Sequence, residues 1–136
     1  MDEAQREAFL ATPRLGVLMM NREPAPIGAP LWFEWNGTTV EMFSNALMPK
    51  IRRIERNPNA SVLAVNSVGE TEGWVAFDGT IEITNPCGIE LVTRLAERYW
   101  DLSDPTHRAI LDGWQQSPDA MCQLTLTPAQ IRSGPF

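Results

Sequence analysis

Apolar and polar positions fall into six segments with strand character and four with helical character. The apolar run Leu15–Met20 predicts a buried strand, and the proline-rich stretch 21–26 a turn after it. Ala29–Trp35 is rich in aromatic residues and stops at Asn36-Gly37, a dipeptide that favours a tight hairpin. It therefore pairs with Thr38–Ser44. Ser61–Asn66 is a further β run. Gly73–Thr84 is too long for a simple hairpin arm and carries Asp78-Gly79 at its middle, so it predicts one long strand bent or bulged at Gly79. Ala120–Thr127 alternates at period two and is followed by Pro128.

The helical segments have clear boundaries. Asp2–Ala11 begins with acidic residues suited to a helix N-terminus and is stopped by Thr12-Pro13. Pro49 opens a helix at a position where its missing N–H costs nothing, and Asn57-Pro58-Asn59 closes it. Leu47, Ile51 and Ile54 form that helix's expected buried stripe. Ile89–Trp100 presents Ile89, Val92, Leu95, Ala96 and Tyr99 on one face. Asp104 caps a last helix, with Pro105 in its first position and its end near Gln116. Strands and helices do not alternate one for one, which disfavours a doubly wound parallel sheet. The pattern implies a mainly β, six-stranded antiparallel barrel with helices on its outside, forming one domain over residues 1–136.

Composition narrows the chemistry. With 136 residues and 43% hydrophobic content the chain can bury a real core. No apolar run approaches the ~20 residues that span a bilayer, and the acidic start differs from a secretion signal, so no membrane association and a cytoplasmic location are expected. Cys87 and Cys122 lie far apart with only His107 as a nitrogen partner, so they are expected to be buried thiols, with no metal site. A net charge of −6 argues against nucleic acid. Yet four of the eleven basic residues, Lys50, Arg52, Arg53 and Arg56, fall within seven positions. They make either a local anion site or a solvated helix face. On a helix, Lys50 and Arg53 share one flank and can converge on one anion, while Arg52 points roughly the other way. Ser44, at the end of the preceding strand, can offer a hydroxyl and nearby backbone N–H groups to the same anion. His107 reads as a solvated helix residue. No phosphate-cradling glycine loop, nucleophile elbow or carboxylate pair is present, and no side chain is assigned a catalytic role.

At these residues the chain resembles the flavin-binding split-barrel superfamily, the pyridoxamine 5'-phosphate oxidase-like proteins. The resemblance runs from about Phe9 to Ile83. It rests on Pro13-Arg14-Leu15-Gly16, on Pro30 with Leu31-Trp32-Phe33-Glu34-Trp35, and on Phe43-Ser44-Asn45 followed by Lys50. The turn Arg56-Asn57-Pro58-Asn59 and the strand around Gly79 complete it. The resemblance implies a six-stranded split barrel that forms a homodimer, with flavins at the subunit interface. Ser44, Asn45 and Lys50, with Arg52 or Arg53, would bind the cofactor's phosphate, and the strand at Pro30–Trp32 would back its ring. Many relatives have an arginine directly before the lysine, where this chain has Pro49. The basic C-terminal segment with which true pyridoxamine-phosphate oxidases grip substrate has no counterpart in Ile131–Phe136, so vitamin B6 oxidation is not expected. The implied activity is that of an oxidoreductase using FMN on a small-molecule substrate. The alternatives are a reductase using the deazaflavin coenzyme F420 and a flavin- or haem-binding module without turnover.

Overall fold

The computed structural model describes residues 1–135; Phe136, the last residue of the expected single domain, lies outside them. The chain runs α1 (Glu3–Ala11), β1 (Gly16–Met20), β2 (Ile27–Leu31), β3 (Glu34–Trp35), β4 (Val40–Asn45), α2 (Pro49–Arg56), β5 (Asn59–Val65), β6 (Trp74–Thr84), α3 (Ile89–Tyr99), α4 (Pro105–Gln116) and β7 (Met121–Gly134). All seven strands join one antiparallel sheet in the order β2-β1-β5-β6-β7-β4-β3. Its two edge strands, β2 and β3, are neighbours in sequence, separated only by Trp32 and Phe33. A sheet whose opposite edges are two residues apart along the chain must curl until those edges approach. The result is a barrel left open along one seam.

That seam corrects the expected strand count from six to seven. The segment 29–35 is not one strand. Its first part pairs with β1, through Val17 opposite Pro30, and its second with β4, through Trp35 opposite Val40. Between them, the backbone of Phe33 finds its hydrogen bonds in a side chain. The Phe33 N–H donates to the Tyr99 hydroxyl at 3.2 Å. That hydroxyl lies 2.6 Å from the Arg14 carbonyl oxygen and 3.0 Å from that of Phe33, either of which can accept its hydrogen. Buried backbone groups that leave a ladder need such partners.

The long strand predicted to bend at Gly79 is β6, and its irregularity is a bulge. Asp78 pairs with Gln130 and Gly79 with Pro128, so Ala129 is the extra residue. A Cβ at Gly79 would lie 2.9 Å from the Pro128 Cα and press into the Thr127 carbonyl, so only glycine fits there. The bulge also explains why Pro128 does not end the last strand. Proline is tolerated where the ladder is already interrupted, and β7 continues to Gly134.

Inward positions alternate along the strands. Leu18 and Met20, Val40 and Met42, Val62 and Ala64, Val75 and Phe77, and Leu124 and Leu126 fill the barrel, and α2 adds Ile51 and Ile54. Leu47, expected in the α2 stripe, is 93% exposed. The Asn45 side chain accepts from the Leu47 N–H at 2.9 Å, holding a turn that delays the helix until Pro49. A second apolar cluster lies under α3 and α4. It contains Leu91, Val92, Leu95, Leu111 and Cys87, with Trp32, Phe43, Trp100 and Trp114 packed against it. Arg94 bridges Glu34 at 2.7 Å and Glu41 at 3.2 Å, tying α3 to β3 and β4. Arg98 donates to the Leu10 carbonyl at 2.8 Å and that of Ala11 at 3.2 Å, at the C-terminal end of α1. Both cysteines are buried free thiols, and burial raises the Cys87 pKa to about 11. Among the described residues no helix is long and apolar enough to cross a membrane.

Candidate functional site

A cleft of about 410 Å³ opens where β2, β4, α2, α4 and β7 meet. Its walls are mostly apolar: Pro30, Leu31 and Trp32 from the seam, Phe43 from β4, Trp114 from α4, and Met48 and Met121. Its polar groups are Ser44, Asn45 and Lys50. Mostly apolar walls with a few convergent polar groups suit a planar ligand bearing an anionic tail.

Each polar group is placed by local structure. Ser44 faces inward like Val40 and Met42 and is only 6% exposed; its hydroxyl lies 3.2 Å from the Asn45 carbonyl, to which it donates. The Asn45 side chain builds the turn at the cleft lip, and the Met48 N–H closes that turn on the Asn45 carbonyl at 3.1 Å. The turn delivers Pro49 to the first position of α2 and Lys50 to the second. Met48 caps the helix without a side-chain hydrogen bond; Pro49 has no N–H and the Ile51 N–H donates to the Met48 carbonyl at 3.1 Å, which leaves the Lys50 N–H available to an anion.

Among the described residues Lys50 enters none of the ion pairs or side-chain hydrogen bonds, whereas Arg14, Arg94, Arg108 and Arg132 are all paired with carboxylates. Half-burial draws the Lys50 pKa below its usual value of 10.5, and the nearby Cys122 sulfur opposes that shift more weakly. A half-buried cation with no counter-charge is unfavourable in the free protein, and a bound anion relieves it.

The structure therefore gathers five of the seven residues singled out in the sequence: Pro30, Trp32, Ser44, Asn45 and Lys50. It does not gather Arg53. One helical turn beyond Lys50, the half-buried Arg53 is not part of the cleft lining. Arg52 lines an adjacent hollow of about 310 Å³ with Ala46, Leu47, Met48 and Pro49, and Met48 is common to both spaces. Sequence reasoning missed Trp114 and Phe43 as cleft residues. Both show only as apolar positions of their elements, and nothing local marks the direction they face. His107 is not the solvated residue expected. Its ring is half-buried and stacked on Trp100, with centroids 4.4 Å apart and planes within 1°.

A larger hollow of about 500 Å³ lies around the β6–β7 bulge. Its one charged group, Asp78, is already satisfied. Arg132 approaches it at 2.5 and 2.9 Å and the Ser61 hydroxyl at 2.6 Å, and the Arg132 contact foremost holds its carboxyl below the usual range. The smaller cleft, with its unpaired cation, is the candidate site.

No family model matches the chain, and no curated protein matches it. Solved structures do. An F420 reductase superimposes with a TM-score of 0.74 at 19% identity, covering 93% of this chain and 94% of that one. A protein from Clostridium acetobutylicum related to general stress protein 26, of the pyridoxinephosphate oxidase family, gives 0.68 at 14%, covering 98% and 87%. An FAD and haem binding protein from Mycobacterium smegmatis gives 0.70 at 16%, covering 98% and 71%. At these identities the likeness is one of fold: this chain has the fold of these solved structures.

Proposed function

We propose that this split-barrel chain binds a flavin-type cofactor in the Trp32–Lys50 cleft and acts as an oxidoreductase on a small molecule. The observation that carries the proposal is Lys50, a half-buried cation without a partner, set at the polar end of an aromatic cleft. In this reading the Lys50 ammonium and backbone N–H, with the Ser44 hydroxyl, hold the phosphate. Pro30, Leu31 and Trp32 back the ring. The bound flavin would supply hydride and electron transfer, and the chain supplies binding, orientation and exclusion of water. That division of labour accounts for a cleft whose only basic or acidic side chain is Lys50.

The reading includes a homodimer. Pro30, Val17 and Leu63 occupy matching positions on three adjacent strands and form a row on the outer face of the sheet. Pro30 belongs to both this row and the cleft. A second copy seated on the row would close the cleft, and the ring would lie between subunits.

FMN is the proposed cofactor, because one cation within the cleft matches one terminal phosphate. A deazaflavin with a longer anionic tail is the second reading. It is favoured by Arg52, which offers another cation in the hollow beyond Met48. The absorption spectrum of the purified protein, with mass spectrometry of any released ligand, separates the two. A flavin spectrum with a ligand of FMN mass supports the first reading and deazaflavin the second. A colourless protein that binds neither compound added in solution contradicts both.

A further inference from the structure

The cleft's aromatic wall does not end at the cleft. Trp32 and Trp114 line it, and behind them Trp100 touches both. Its centroid lies 4.6 Å from that of Trp32, edge to face, and 5.4 Å from that of Trp114, nearly parallel. Trp100 lines none of the cleft and is only half-buried, with the His107 ring flat against it. Three of the five tryptophans in the chain, all half-buried, thus form one continuous contact path from the cleft lining to an indole outside it.

The three indoles pack against the apolar cluster under α3 and α4, and indoles are among the most easily oxidised side chains. Tyr99 stacks on Trp32 at 5.2 Å, but its hydroxyl is engaged with backbone carbonyls rather than with a base. Phenol oxidation requires loss of that proton, so Tyr99 lies off the path. Indoles can pass a single electron without first losing a proton.

We propose that Trp32, Trp114 and Trp100 form a one-electron relay between the ligand in the cleft and a donor at the surface. The inference rests on the flavin reading of the cleft. In the step envisaged, Trp32 or Trp114 gives one electron to a photoexcited isoalloxazine beside it and becomes an indole radical cation. Trp100 then gives one electron to that indole, so the electron deficiency moves to the outer ring. A soluble one-electron donor of the thiol or ascorbate class finally returns an electron to Trp100. The net change is one electron gained by the cleft ligand and one lost by the donor, with the indoles restored. Moving the deficiency outward separates it from the reduced ligand and slows the back-reaction.

The test uses the full-length protein with FMN added. Calorimetry in the dark first measures FMN affinity, and flash excitation then follows the indole radical by transient absorption. Wild type is expected to show a long-lived radical. Trp100→Phe, which leaves the cleft lining intact, should keep FMN affinity and shorten the radical lifetime about tenfold. If that variant does not fold, mapping of oxidised residues by mass spectrometry after prolonged illumination of wild type serves instead, with Trp100 expected to oxidise more than Trp32 or Trp114. FMN bound but no indole radical, an unchanged lifetime in Trp100→Phe, or oxidation confined to the inner indoles overturns the relay alone. Failure to bind FMN overturns the flavin reading, and the relay with it.

Discussion

Lys50 occupies a position that costs the free protein stability, because it is half-buried without a counter-charge. Removing the charge and keeping the aliphatic stem, as in Lys50→Met, should therefore raise the melting temperature of the ligand-free protein, read by calorimetry, while abolishing phosphate recognition. The pH dependence follows from the same shift. In the folded state the lysine releases its proton at a lower pH than in the unfolded chain. Between that lowered value and 10.5 the unfolded state therefore binds more protons, and stability rises with pH through this window. Urea denaturation of wild type against Lys50→Met across the window should show the stability difference shrinking as pH rises. A difference independent of pH would mean that Lys50 is solvated like any surface lysine.

At the scale of elements, two irregularities shape the site, and they differ in how they appear in sequence. Tyr99 satisfies the backbone at the break between β2 and β3. Tyr99→Phe leaves buried polar groups unpaired and should cost about 1–3 kcal/mol, measured by denaturation, with weaker ligand binding because Trp32 sits in the same break. The bulge opposite Pro128 admits only glycine at position 79. Gly79→Ala should cost about 3 kcal/mol, since backbone on both sides of the contact has to move. The bulge was legible because Asp78-Gly79 interrupts an overlong β run. The break at Trp32-Phe33 was not, because its cause is a hydroxyl on a helix more than sixty positions away, and 29–35 reads locally as an unbroken strand. The extension of β7 past Pro128 was hidden for a similar reason: proline reads as a stop unless the bulge it faces is known.

Over the whole molecule, sheet order brings the seam, the N-terminal end of α2 and the last turn of α4 to one place. Adjacency along the chain made Ser44, Asn45 and Lys50 legible as a group, because a turn and one helix start connect them. Helical periodicity also suggested Arg53, but a wheel shows angular position and not distance along the axis, and the cleft ends short of it. Trp114 arrives from a helix whose docking depends on packing against α3 and β4, which no local pattern encodes. The outer row Pro30–Val17–Leu63 belongs to this scale as well. Leu63→Asp should convert a dimer to monomers in sedimentation equilibrium and weaken cofactor binding together; a wild type that sediments as a monomer would remove the subunit interface from the account. The most direct test of the site itself is calorimetric titration of wild type and Lys50→Ala with FMN and with riboflavin, which lacks the phosphate. Wild type should bind FMN roughly ten- to a hundredfold more tightly than riboflavin, as for a charge-assisted contact of about 1.5–3 kcal/mol, and Lys50→Ala should bind the two alike. A Lys50→Ala protein that keeps the full preference for FMN would contradict the assignment of Lys50 to the phosphate.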